Sequence, residues 1–157
     1  MGLGIVAYEG LEPGNGIMVS HDFFGRASDI DEGSYKQMGE SFSFQVGSYS
    51  SYGSWRRHLC LAIHGVEPEE LWDNAGNFID KPFYELINFS DCEGQIGPKV
   101  SEELYQDFAN PDNEKKFLDY IKGNLESEYL VDYHKRNWEN FKRSFELARQ
   151  GGLVSFC

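Results

Sequence analysis

A single α+β domain, with a small mostly antiparallel sheet packed against several helices, is what the sequence predicts, on three observations. Short apolar or alternating runs lie toward the two ends of the chain, and apolar residues recur at helical spacing between them. No repeat, low-complexity tract or linker divides the 157 residues, so one domain over 1–157 is expected.

The elements follow in order. "LGIVAY" (3–8) is apolar and partly β-branched, and Pro-Gly-Asn-Gly at 13–16 separates it from "IMV" (17–19), which predicts two strands across a turn. Residues 21–35 show neither period and are rich in Gly and Asp, as a surface loop would be. "SFSFQVG" (41–47) places Phe42, Phe44 and Val46 on one face of a half-buried strand.

The first helix is expected from about Ser54 to His64 with Gly65 as its stop, burying Trp55, Leu59, Ala62 and Ile63. Arg56 then flanks the apolar face, free to contact a ligand, and Arg57 points to solvent. After an acidic connection, Asp80 is placed to cap a short helix that buries Phe83, Leu86 and Ile87. Gly97-Pro98 opens a helix with Val100, Leu104 and Phe108 aligned, and Asn110-Pro111 restarts the chain into one bearing Phe117, Leu118, Ile121 and Leu125. The longest helix carries His134, Trp138, Phe141, Phe145 and Ala148 on one face. Gly151-Gly152 ends it, and "LVSFC" (153–157) reads as a closing strand.

Composition narrows the function. A formal net charge of −12 opposes binding to duplex nucleic acid, whose affinity comes from neutralising phosphates. An anion needs a local basic pocket. Cys60, Cys92 and Cys157 are odd in number and widely spaced, with no zinc-ligand pattern, which suits a reducing, cytoplasmic setting. No run reaches a membrane span, and the first ten residues lack the charged region of a signal peptide. No membrane partner, metal or cofactor is expected.

Two polar clusters could carry chemistry. "VGSYSSYGSWRR" (46–57) joins a strand to a helix start, where backbone donors, Ser48, Ser50, Ser54 and Arg56 could hold an anion while Tyr49, Tyr52 or Trp55 stacks on a ring. The plainer reading has a serine capping the helix, Trp55 filling the core and Arg56 paired with a carboxylate. In "NFSDCEG" (88–94), Cys92 could be a nucleophile, or Asp91 and Glu93 acid–base groups or metal ligands. The two carboxylates beside Cys92 oppose its thiolate, however. Otherwise Asn88, Ser90 and Asp91 close a turn or hydrogen-bond a ligand. His21-Asp22 falls short of a metal-hydrolase signature, and "DIDEG" (29–33) of a calcium loop. Arg136 and Arg143 lie off the apolar face of the last helix and read as a solvated flank.

At "GSYSSYGSWR", "ELINFSDCEGQIG" and "FELARQGGLVSF" the chain resembles a family of small proteins of bacteria and phages. The resemblance implies a cytosolic, chromosomal or phage-borne protein and supplies no reaction. The expectation is thus a small binding protein with one pocket joining Ser48–Arg56 to the Asn88–Glu93 turn. Its ligand would be anionic and ring-bearing, such as a nucleotide or nucleotide-derived signal; if phage-borne, the protein could sequester a host immune signal. A hydrolase using Cys92, Asp91 or Glu93 in that pocket is the first alternative, and an acidic module that inhibits a basic host protein is the second. Self-association into a homo-oligomer is compatible with either.

Overall fold

The apolar runs at the two ends of the chain meet in one sheet. The computed structural model describes residues 2–157. Among them are a four-stranded antiparallel sheet and seven helices, an α+β fold. Strand β1 (Gly2–Val19) pairs with β2 (Gly33–Ser48) on one side and with β4 (Leu153–Phe156) on the other, and β4 pairs with β3 (Gly94–Ile96). The strand order is therefore β2-β1-β4-β3. Among the described residues no helix is long and apolar enough to cross a membrane.

The expected pair of strands at 3–8 and 17–19 is one strand. Pro13 and Ile17 both face Tyr35, so residues 14–16 bulge out and the chain resumes in the same direction. The Pro-Gly-Asn-Gly run does not reverse the chain, because both halves of β1 find partners along one long β2. β2 itself begins at Gly33, eight residues before the alternation that revealed it. Its polar first half is mostly exposed, whereas Phe42, Phe44 and Val46 in the second half pack on the core, so only the second half needs an apolar face.

Helix α1 (Tyr49–His64) starts five residues earlier than expected, because Ser48 caps it: Ser48 Oγ accepts from Ser51 N at 3.0 Å. Two short helices, α2 (Pro68–Asp73) and α3 (Ala75–Phe78), occupy the acidic connection. α4 (Tyr84–Ile87) is preceded by Phe83 at φ 64°, and Asp80 does not cap it. This left-handed aromatic residue is held from α5 (Pro98–Ala109), where Asp107 Oδ2 accepts from Phe83 N at 2.9 Å. α6 (Pro111–Asn124) and α7 (Glu128–Ala148) agree with the expected periodicity.

The predicted stripe on α7 is the centre of the core. Trp138 stacks on Phe117 at 4.8 Å and meets Phe108 edge-on at 4.8 Å, and Phe141 stacks on Trp55 of α1 at 4.9 Å. Trp55 Nε1 donates to the His134 carbonyl at 3.1 Å, which satisfies the one polar atom of a fully buried indole.

The link from α7 to β4 is the tightest point in the molecule. A Cβ on Gly152 would lie 1.8 Å from the Tyr8 carbonyl oxygen, so only glycine lets β4 come against β1. Gly152→Ala should therefore cost about 3 kcal/mol or more in urea melts. Gly53→Ala, in open space inside α1, should instead gain about 0.5–1 kcal/mol.

Burial pushes the Asp107 carboxyl up from 3.8 to about 6, against the opposing effect of the Phe83 amide. Between those values the folded state binds the proton and the unfolded state does not, so this group makes stability fall as pH rises from about 4 to about 6. Asp107→Asn keeps the acceptor for Phe83 and removes that slope. The stability of the variant relative to wild type should rise by roughly 1–2 kcal/mol from pH 4 to pH 7 in parallel denaturant melts, allowing for partial solvent screening.

Candidate functional site

The serines at the α1 start first satisfy one another. Ser48 Oγ lies 3.0 Å from Ser50 Oγ and 2.8 Å from Ser51 Oγ while capping Ser51 N. Ser51 and Ser54 then face a recess of about 360 Å³ between the α1 start, the end of β2 and the first half of α7. Tyr129, Tyr133, His134 and Arg136 line its α7 wall. Tyr133 OH donates to the Val46 carbonyl at 2.8 Å and fixes that wall to β2. Tyr129 is 74% exposed at the rim.

Behind the recess two histidines form a directed pair. His134 Nδ1 lies 2.8 Å from the Leu130 carbonyl, which can only accept, so Nδ1 carries the proton and Nε2 is an acceptor. His58 Nδ1, 3.1 Å from His134 Nε2, must then be the donor. Burial lowers both pKa values below the ordinary 6.5, Arg57 adding to the shift at His58 and His58 to that at His134, so both rings are neutral at pH 7. Ser54 Oγ is 3.5 Å from the same His58 Nδ1. That nitrogen carries a proton directed at His134 and cannot serve as a base, so Ser54 is not activated as a nucleophile.

The early start of α1 changes the fate of the other expected ligand contacts. Tyr52, Trp55, Arg56 and Leu59 stand at i, i+3, i+4 and i+7 and turn inward together. Tyr52 and Trp55 are 0% exposed and cannot stack on a ligand, and Tyr49 is half-buried against the core. Arg56 is 8% exposed, with its guanidinium 5.4 Å from each of the Tyr52 and Trp72 ring centroids. Its Nη1 donates to the Phe89 carbonyl at 2.6 Å and, more weakly, to that of Ile87 at 3.4 Å. Arg56 is thus a strut for the segment after α4, and the expectation that it stands clear of the core is corrected. Arg57 is exposed as expected, and pairs with Glu67 at 2.7 Å.

The structure does bring Arg56 beside Asn88, Ser90 and Asp91, in a second recess of about 370 Å³ that Phe24 and Trp72 also line. The single expected pocket is therefore two: Ser51 and Ser54 line the first, while the 88–91 turn and Arg56 line the second. In the turn, Ser90 Oγ accepts from Cys92 N at 3.3 Å and Glu93 N at 3.1 Å, and Asn88 Nδ2 donates to Tyr84 OH at 2.8 Å. Ser90 closes the turn; Asp91 is exposed and takes no part. Cys92 is exposed at the tip, its Sγ 3.6 Å from Ser90 Oγ, and among the described residues no histidine, lysine or arginine bonds to it. Glu93 is also exposed, and among the described residues no three His, Cys, Asp or Glu side chains converge as metal ligands.

The sequence reading missed Arg26, placed in a surface loop, and Arg136, placed on a solvated flank. Arg26 pairs with Glu85 and donates to the Phe24 and Asn88 carbonyls, both at 2.8 Å, so it holds the 88–91 turn from the side away from Arg56's own bonds. Nothing in its local sequence marks it. Arg136 had a signal: Tyr129, Tyr133 and Arg136 stand at i, i+4 and i+7 along α7 and share a face.

Arg56→Ala should destabilise the fold by about 2–3 kcal/mol, since it strips a charged donor from buried carbonyls, and Asp91→Asn should change stability by less than about 0.5 kcal/mol. Urea melts of the two variants measure the contrast.

No family model, curated protein or solved structure matches this chain, and the functional reading rests on the chemistry of its recesses.

Proposed function

We propose that the protein binds a small anionic, ring-bearing ligand of the nucleotide class in the recess between α1 and α7. One observation carries this reading. In a chain of net charge −12, Arg136 is the one formally charged side chain lining that recess, and no carboxylate lines it. Four other surface recesses each have at least one carboxylate in their lining. Arg26, Arg57, Arg143 and Arg149 are each paired with a carboxylate, whereas Arg136 has no such partner among the described residues. An arginine free of ion pairs, beside the positive end of a helix of sixteen residues, suits a phosphate or similar anion.

The remaining walls suit the rest of such a ligand. Tyr129 and Tyr133 offer ring faces, Ser51 and Ser54 offer hydroxyls, and the neutral His134–His58 pair adds no charge of its own at pH 7. The volume of about 360 Å³ lies in the range of small-ligand sites. A cytosolic, phage-borne protein of this kind could withdraw a nucleotide-derived signal from its host by binding alone, with no catalytic group required.

Calorimetry with AMP, GMP and a cyclic mononucleotide tests the proposal, with native mass spectrometry of the freshly purified protein for a retained ligand. Arg136→Ala should weaken binding by about 30-fold or more, the loss of a charged phosphate contact. Tyr129→Ala should weaken it about 5- to 10-fold through lost stacking. Both residues are exposed, so both variants should melt as wild type does. Absence of binding to all three nucleotides with no retained anion, or equal affinity in Arg136→Ala, overturns the reading.

A further inference from the structure

The loop between β1 and β2, residues 20–32, is tied down along β3. Ser20 N donates to Gln95 Oε1 at 3.0 Å, Gly97 N to the Arg26 carbonyl at 2.9 Å and Lys99 N to Asp29 Oδ2 at 2.8 Å. Within it Asp22 Oδ1 accepts from Phe24 N at 2.9 Å and Gly25 N at 3.0 Å, while its Oδ2 takes Gln95 N at 3.4 Å. This tight turn sets Phe23 in water at 96% exposure. Behind it a file of aromatic contacts runs into the core: Phe23 on Phe24 at 5.5 Å, Phe24 on Phe89 at 5.3 Å, and Phe89 on Phe156 at 5.1 Å. Gly94 is part of the same support, since a Cβ there would lie 2.7 Å from the Phe89 ring and 2.9 Å from Asp22 Oδ2.

Beside Phe23 opens a groove of about 380 Å³ with Phe24 and Phe156 in its wall and the carboxylates of Asp22 and Glu93 at its edges; no lysine or arginine lines it. The adjoining recess shares Phe24 and Ser90 and adds Asp91 and Trp72, itself 39% exposed. Arg56, the one cation there, is buried and bonded to carbonyls. The face therefore presents two exposed aromatic side chains among three carboxylates.

We infer that this face is a docking surface for a partner protein whose contact segment is basic, with lysine or arginine flanking an apolar side chain that packs on Phe23. An exposed aromatic side chain offers a partner a large apolar area to cover, and such residues are frequent anchors at the centre of protein interfaces. Cationic side chains of the partner would meet Asp22, Asp91 and Glu93 and could lie on the faces of Phe23 and Trp72. A second copy of this chain fits poorly, since a two-fold contact brings the same carboxylates against one another. This face is distinct from the Arg136 recess, and the inference is independent of the ligand proposed there.

Selection of a random displayed peptide library against the intact protein tests it, with Phe23→Ala as the counter-target. Peptides enriched on wild type should carry a net positive charge around an aromatic or aliphatic residue. They should bind Phe23→Ala at least 10-fold more weakly and Glu93→Gln several-fold more weakly, bind Arg136→Ala normally, and shift amide resonances in 20–25 and 88–95. Phe23 is exposed, so its loss leaves the fold intact, as a thermal melt will show. Enrichment of neutral or acidic peptides, equal binding to Phe23→Ala, resonance shifts elsewhere, or no enrichment would each overturn the inference. So would a sedimentation result in which wild type forms a dimer that Phe23→Ala abolishes, since the occupant would then be a second copy.

Discussion

Leu153–Phe156 lies between β1 and β3, and most of the molecule depends on that seat. The four residues supply a pairing partner to β1 over Ile5–Tyr8 and the one partner that three-residue β3 has in the sheet. Gly4 and Cys157 extend the ladder, with hydrogen bonds of 2.7 and 2.9 Å in the two directions. Because β4 follows α7 through only a tight Gly151-Gly152 turn, seating the strand also fixes the height of α7 against the sheet. That in turn decides where Trp138 and Phe141 meet the rings of the other helices. A backbone approach that admits no Cβ at residue 152 is thus the geometric condition for the core, for the α7 wall of one recess and for the β3 support of the other.

The arginines show how an acidic chain uses its few cations. Arg26 and Arg56 reach from different elements to carbonyls between Glu85 and Phe89, where a short helix ends and Trp72 Nε1 also donates to the Ile87 carbonyl at 3.1 Å. Two of the six arginines are therefore devoted to one irregular segment, and both are shielded by aromatic rings. The investment makes the 88–94 turn rigid and leaves its carboxylates unneutralised at the surface. Arg136 has neither role, and its freedom from partners is what distinguishes the α1–α7 recess.

Burial pushes the Cys60 thiol up to about 12, while Cys92 is exposed with its Sγ 3.6 Å from Ser90 Oγ. The His58–His134 pair directs its one shared proton between the two rings and away from Ser54. Ser54 thus has no activating base at His58, and the recesses offer charge, hydroxyls and aromatic faces.

Where periodicity was strong, the sequence by itself determined the outcome: α5, α6 and α7, the aromatic stripe from Trp138 to Phe145, the closing strand and the α+β class follow from spacing, since burial of a continuous apolar face leaves few other arrangements. Arg56 and residues 88–91 line one recess, and of the expected turn-closing residues Ser90 alone closes the turn. Three things were decided only by tertiary structure. The polar first half of β2 has no period because it is mostly exposed, and its pairing with β1 exists only once both are folded. The inward turn of Arg56 depends on the added first turn that Ser48 caps, which brings Tyr52 onto the same side as Trp55 and Leu59, and on carbonyls that arrive from α4. The meeting of Ser51 and Ser54 with Arg136 joins residues more than eighty positions apart, and no local pattern encodes a contact that β4 and α7 must first be seated to make.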